Sequence, residues 1–274
     1  MAKQTEATGV VRKAFEILSY FRLKPEGMTL AELSHLTQIN RSTAHRLLAQ
    51  LHAVGILERV GRGHYRIGQA LFHLGLLAPQ PLELRTASDL AMSRLAYETG
   101  ETINLAVLDQ SETLILQVIE SAHEFRMTGK VGSRRPFYLT ALGKAMAAFL
   151  NRENLETLLK NLPMPLDSPT PNSIHNLSQL KAELNLVKRQ GYAIDNEEIV
   201  AGVRAIAAPI FKGTGELKAS ISLCAPSSRI PDERISSLAA SIVKAADSVT
   251  VQLGGDPNVS RLLAQERKME LAGM

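Results

Sequence analysis

The chain has 274 residues, enough for two domains with separate cores. Its one cysteine, Cys224, excludes an internal disulfide and a multi-cysteine metal site. No apolar run approaches a membrane span and the first residues lack a signal-peptide core, so a soluble cytoplasmic protein without membrane contact is expected. The net charge of +4 is unevenly spread: residues 1–78 hold ten Lys and Arg against five Glu, and the remainder holds 21 basic against 22 acidic residues. A polyanionic partner would use that N-terminal excess.

In chain order, Thr8 is placed to cap a first helix, with Val10, Val11, Ala14, Ile17, Leu18 and Phe21 at helical spacing. Residues 29–55 then predict two short helices joined by a tight turn. Thr29 and Glu32 have capping-box spacing, and Asn40 is an N-cap for the second helix. On a wheel of that second helix, Ala44, Leu47, Leu48, Leu51 and Val54 share one side. The other side carries Ser42, His45 and Arg46, flanked by Arg41 and Thr43, and has no carboxylate. Small, polar and cationic residues are what a helix in a DNA major groove requires. An ordinary helical hairpin is the competing reading. Ile56–Val60 and His64–Ile67 read as a basic hairpin, a wing, with Arg62 at its tip between two glycines, placed for a phosphate or the minor groove. The DNA-contacting set predicted is Arg41, Ser42, Thr43, His45, Arg46 and Arg62.

Gln69–Ala78 and Leu82–Thr99 read as helices interrupted at Pro79 and Pro81. Leu84, Ser88, Ala91 and Leu95 form a near-heptad stripe, which suits a dimer contact or packing on its own domain. After Gly100 strands dominate: 103–109, 113–121, 192–195, 204–211 and 217–225. Helices fall at 140–150, 153–162, 177–190 and from Pro231 onward, and 254–274 reads as a charged tail.

The order of these elements, with G-S-R-R-P-F-Y-L-T-A-L-G-K-A at 132–145, G-Y-A-I-D-N-E-E-I-V-A-G-V-R-A-I-A-A-P-I-F at 191–211 and A-S-I-S-L-C-A-P-S-S-R-I at 219–230, resembles the IclR family of bacterial transcriptional regulators. The resemblance covers about residues 8–252. It implies an α+β protein: a winged helix-turn-helix domain (1–68), a linker helix (69–100), a GAF-like antiparallel-sheet domain that binds a small effector (101–253) and a tail (254–274). It also implies dimers that often pair into tetramers, with double-stranded operator DNA as partner. By the same resemblance the effector contacts are Met127, Ala141, Leu142, Asp195, Val203, Ala205, Ser222 and Cys224. The helix start at Thr140–Gly143 suits a carboxylate, so a small organic acid is expected. Ser222 and Cys224 alternate on one strand and face the same side.

No Ser/His/Asp arrangement, zinc spacing, P-loop or dinucleotide fingerprint occurs, so no catalytic residue, metal or cofactor is expected. Methionine-sulfoxide reduction, known for some GAF-like domains, needs a resolving thiol, and Cys224 is alone. Two functions stand: a ligand-responsive regulator on operator DNA, and a small-molecule-binding or enzymatic GAF-like protein whose N-terminal domain contacts another protein.

Overall fold

The computed structural model describes residues 2–258 except Arg22, Arg62, 77–78 and Thr214. The chain divides into two compact units, residues 1–82 and 83–274.

In the first unit, α1 (Ala2–Tyr20) precedes β1 (Met28–Thr29), α2 (Leu30–Thr37), α3 (Arg41–Ala53), β2 (Leu57–Val60), β3 (His64–Ile67) and α4 (Gln69–Leu76). The capping box forms as expected: Thr29 Oγ1 accepts from Glu32 N at 3.2 Å, and Glu32 Oε2 accepts from Thr29 N at 2.7 Å. These bonds and Lys24 hold the Glu32 carboxyl down at about 2. Asn40 Oδ1 accepts from Ser42 N at 2.9 Å and starts α3. Ile17, Phe21, Leu33, Leu47, Leu48, Leu57 and Tyr65 make the core. Two expectations fail at α1. Thr8 lies inside the helix rather than at its cap, and Val10 and Val11 face outward, because among the described side chains it is the Ala14–Phe21 end that packs on the core. A third strand, β1, joins the wing in the order β1-β3-β2; two residues are too short for any periodicity to reveal.

In the second unit, α5 (Pro79–Thr99) leads to a six-stranded antiparallel sheet. Its order is β6 (Arg134–Pro136), β5 (Glu112–Ile119), β4 (Thr102–Asp109), β9 (Glu216–Pro226), β8 (Val203–Lys212) and β7 (Ala193–Asn196). Strand residues alternate between faces. Ile103, Leu105, Ile206, Ala208, Ile221 and Leu223 meet α5 and α9 (Asp232–Gln252) on one face. Ala106, Ala205 and Ala207 meet α6 (Ala141–Ala147) and α8 (Leu177–Gln190) on the other. A further helix, α7 (Arg152–Lys160), flanks this second core through Leu158.

The stripe Leu84, Ser88, Ala91, Leu95 is buried against the sheet of its own unit, so it offers no free dimer surface. Its near-heptad spacing reflects a helix lying on a flat layer. Helix α6 sits close to its surroundings because residue 143 is glycine. A Cβ there would come 2.3 Å from Phe137 O and 2.5 Å from Thr113 Oγ1.

Candidate functional site

The first candidate surface is the outer face of α3. Ala44, Leu47, Leu48 and Leu51 are buried, and this fixes the helix rotation. Arg41, Ser42, His45 and Arg46 are then exposed and Thr43 is half-buried at the flank. Among the described residues, no carboxylate pairs with Arg41 or Arg46. The Ser42 hydroxyl donates to Asn40 Oδ1 at 2.9 Å, so at rest it helps to hold the cap. In the wing, Arg59 lies over the Tyr65 ring, 5.3 Å from its centroid, and donates to Tyr65 Oη at 3.0 Å. Arg66 pairs with Glu58 at 2.5 Å. Both described wing arginines, Arg59 and Arg66, are therefore engaged, which the basic composition alone does not reveal. Arg62 lies outside the described residues.

The second candidate surface is the α6 face of the large sheet. Register places Asp195 opposite Ala205, Ala205 opposite Cys224, and Cys224 opposite Thr102. The next row on that face runs Ala207, Ser222, Asn104, Val118. Val203 shares the face one step further along β8. Leu142 closes over the other end, its carbonyl accepting from Ser220 Oγ at 3.0 Å. Ala141 lies beside Leu142 in the same core. Met127 sits at the margin, where Thr102 Oγ1 donates to its carbonyl at 2.6 Å. The predicted effector residues thus gather on one side of the sheet: Val203, Ala205, Ser222 and Cys224 on β8 and β9, Asp195 on the edge strand β7, Ala141 and Leu142 on the helix above, and Met127 in the loop beside Thr102. A surface cavity of about 200 Å³ lies on the opposite face, between α5 and α9, and touches none of them. The α6 face instead gathers polar side chains, Asp195, Thr102, Ser222 and Asn104, and convergent polar atoms are what recognise a ligand.

The electrostatics of this face are unusual. Asp195 is 6% exposed, and burial, against the bond its carboxylate accepts from Glu198 N at 2.8 Å, pushes its carboxyl up to about 7. Burial likewise raises Glu198. The Lys144 ammonium, 1% exposed, pairs with Glu198 and lies 3.3 Å from Glu183. Burial, with Asp195 and Glu101 nearby, pushes the Cys224 thiol up to about 12, so it stays protonated and is a poor nucleophile. At the start of α6, Thr140 Oγ1 accepts from Gly143 N at 2.8 Å, and the N–H groups of Ala141 and Leu142 are not claimed by the cap. Arg134 is bonded to Asp109 and pairs with Glu112 at 3.5 Å, so it belongs to the sheet edge.

Sequence reasoning did not find Lys144, Glu198 or Asn104 as members of this site. Asn104 and Ser222 are 118 residues apart, and Lys144 and Glu198 are 54 apart.

This architecture has relatives along about nine-tenths of the chain. A profile described as the bacterial transcriptional regulator IclR C-terminal domain matches residues 78–251, and the IclR helix-turn-helix profile matches 10–61. The chain belongs to the IclR family. It is 34% identical over 257 residues to the transcriptional repressor IclR of Escherichia coli, covering 91% of this chain and 92% of that protein. It is 32% identical over 253 residues to the regulator KdgR of the same organism, covering 92% and 95%. Among solved structures, an IclR homolog from Microbacterium hydrocarbonoxydans complexed with 4-hydroxybenzoate is similar at TM-score 0.78 and 25% identity, covering 89% of this chain and 98% of that one. The Thermotoga maritima IclR is similar at TM-score 0.71 and 27% identity, covering 90% and 99%. Like other IclR-family proteins, this chain is a transcriptional regulator with a helix-turn-helix DNA-binding domain. Among the described residues, no helix is long and apolar enough to cross a membrane.

Proposed function

We propose that the protein binds operator DNA in the cytoplasm through α3 and the wing, and that a small organic acid on the α6 face of the sheet changes its DNA affinity. The observation that carries the DNA reading is the outer face of α3, with Arg41, His45 and Arg46 exposed and no carboxylate among them. Arg41, Ser42, Thr43, His45, Arg46 and Arg62 form the contact set, with Ser42, His45 and Arg46 reading base edges and Arg62 adding affinity. The effector reading rests on the row Asp195, Ala205, Cys224, Thr102 and its neighbour Ser222. The acid enters with Met127, Ala141, Leu142 and Val203 around it and shares a proton with Asp195, whose raised affinity for protons makes it a partner for a second carboxyl. The structure that holds 4-hydroxybenzoate shows that a relative accepts an organic acid.

Self-association supplies a two-fold operator. Val11 and Phe15, exposed by 60% and 66%, are one helical turn apart on α1, and such apolar surface favours burial between copies. Sedimentation of the full chain tests this: a monomer at micromolar concentration overturns it.

The functional test is fluorescence anisotropy with a DNA fragment obtained by in vitro selection, at rising salt. The affinity falls steeply, with a slope of about −0.9 for each phosphate neutralised. A salt-independent interaction, or equal affinity for scrambled sequence, refutes the reading.

A further inference from the structure

A buried amide on the effector face has half of its hydrogen-bonding capacity unused. Asn104, on β4, is 7% exposed. Its Nδ2 approaches Ser222 Oγ at only 3.5 Å, the limit of a hydrogen bond, and its Oδ1 is buried with no partner. An unpaired buried acceptor has lost its water and gained nothing in return, so it destabilises the free protein. No nearby backbone group relieves it, because what covers it is the Cα side of Gly129: a Cβ at residue 129 would stand 2.4 Å from Oδ1. Gly129 belongs to the strap 121–131 between β5 and β6, which is tied down at three places. Ser121 Oγ donates to Gly100 O at 2.5 Å, Thr102 Oγ1 donates to Met127 O at 2.6 Å, and Arg229 donates to Phe125 O at 3.0 Å while pairing with the buried Glu101. Asn104 and Ser222 are directly opposed in register, so an unused acceptor and a hydroxyl stand side by side.

We propose that Asn104 is a specificity-determining contact of the effector site, and that it selects organic acids carrying a hydroxyl next to the carboxylate. This inference rests on the acid-binding reading above. The Ser222 hydroxyl donates to a carboxylate oxygen, and the ligand's hydroxyl, on the neighbouring carbon, donates to Asn104 Oδ1. A carboxylic acid without a hydroxyl leaves Oδ1 unpaired, as it is in the free protein. A 2-oxo acid brings a second acceptor against it and is disfavoured. Entry requires the strap to lift from Asn104, and the new hydrogen bond compensates for its displacement.

The test is isothermal calorimetry on the full chain with matched probes: glycolate against acetate, and lactate against propionate and pyruvate, with benzoate and 4-hydroxybenzoate as larger acids. Each 2-hydroxy acid is expected to bind about tenfold tighter than its hydroxyl-free counterpart, the worth of one such hydrogen bond. In Asn104→Leu that ratio falls to about one, while circular dichroism remains that of the wild type. If the Leu variant fails to fold, Asn104→Asp, which keeps the side chain's size and an acceptor, should retain the preference for the hydroxy acids, and the wild-type ratio alone still overturns the selectivity if it is one or less. Equal or weaker binding of the hydroxy acids, or an unchanged ratio in a folded Asn104→Leu, overturns the proposal. Binding of benzoate or acetate without the 2-hydroxy acids overturns it and leaves the acid-binding reading standing. Binding of no acid in the set overturns both.

Discussion

Replacing Asp195 by asparagine should stabilise the protein at neutral and alkaline pH, and the size of the effect follows from the site. Asp195 is buried beside Glu198, and its carboxyl is pushed from the ordinary value of 3.8 to about 7. Each tenfold change in proton affinity corresponds to about 1.4 kcal/mol, so ionised Asp195 destabilises the fold by on the order of 4 kcal/mol. The sign depends on pH. Below about pH 4 the carboxyl is protonated in both folded and unfolded chains, and its ionisation affects nothing. Between about pH 4 and pH 7 the unfolded chain releases the proton and the folded chain keeps it, so stability falls as pH rises. Above about pH 7 the whole penalty is present. The substituted amide would be neutral throughout and would still accept from Glu198 N through its own oxygen, as Asp195 does. Urea unfolding of wild type and Asp195→Asn, followed by circular dichroism with the transition of residues 83–274 fitted separately, reads the difference from pH 4.5 to 8.5. A constant packing offset cancels in the pH dependence. The difference should grow in favour of the variant by on the order of 4 kcal/mol and level off above pH 7. A difference flat from pH 5 to pH 8 would refute the claim that burial holds this carboxyl protonated.

Arg46→Ala should weaken binding to the selected operator more than to scrambled DNA, by about 1–3 kcal/mol; equal losses in anisotropy titrations make Arg46 a phosphate anchor instead. Ala141→Trp should fill the effector face and abolish calorimetric binding of the acid while leaving ligand-free operator affinity unchanged, and normal acid binding by this variant places the site elsewhere. Lys144→Ala should leave Glu198 buried without its cation and lower stability by about 3–5 kcal/mol at pH 8, with less loss at pH 4, where Glu198 can take up a proton; thermal unfolding at the two pH values reads this, and equal losses at both argue against the ion pair.

Much of this architecture is legible in the sequence because it is locally encoded. The α3 face follows from a period of 3.6, and the caps, Asn40 on α3 and the Thr29–Glu32 box on α2, lie within three residues of what they cap. Alternation on β9 puts Ser222 and Cys224 on one side without any knowledge of the fold. What is not legible depends on which strands become neighbours. Asp195 can be singled out from its motif, but its raised proton affinity comes from burial under an assembled sheet. Lys144 reads as an ordinary helix lysine until α8 and the β7 turn enclose it with Glu183 and Glu198. Arg134 follows two glycines in a stretch with no strand periodicity, yet it forms part of β6 and pairs with Asp109 at the end of β4 and Glu112 on β5. Arg59 and Arg66 count toward a basic wing in the composition, and only the hairpin geometry assigns them to Tyr65 and Glu58.

The Cys224 thiol makes the molecule its own reporter. It is the single cysteine of the chain, and with its thiol pushed up to about 12 little of it is the reactive thiolate at pH 8. A disulfide reagent will therefore modify native protein more slowly than an ordinary surface cysteine. A change in the labelling rate reports a change in the exposure of this partly exposed thiol, without a tag, a mutation or a fluorophore. The same kinetics followed across added acids would rank ligands by how firmly they keep that face closed.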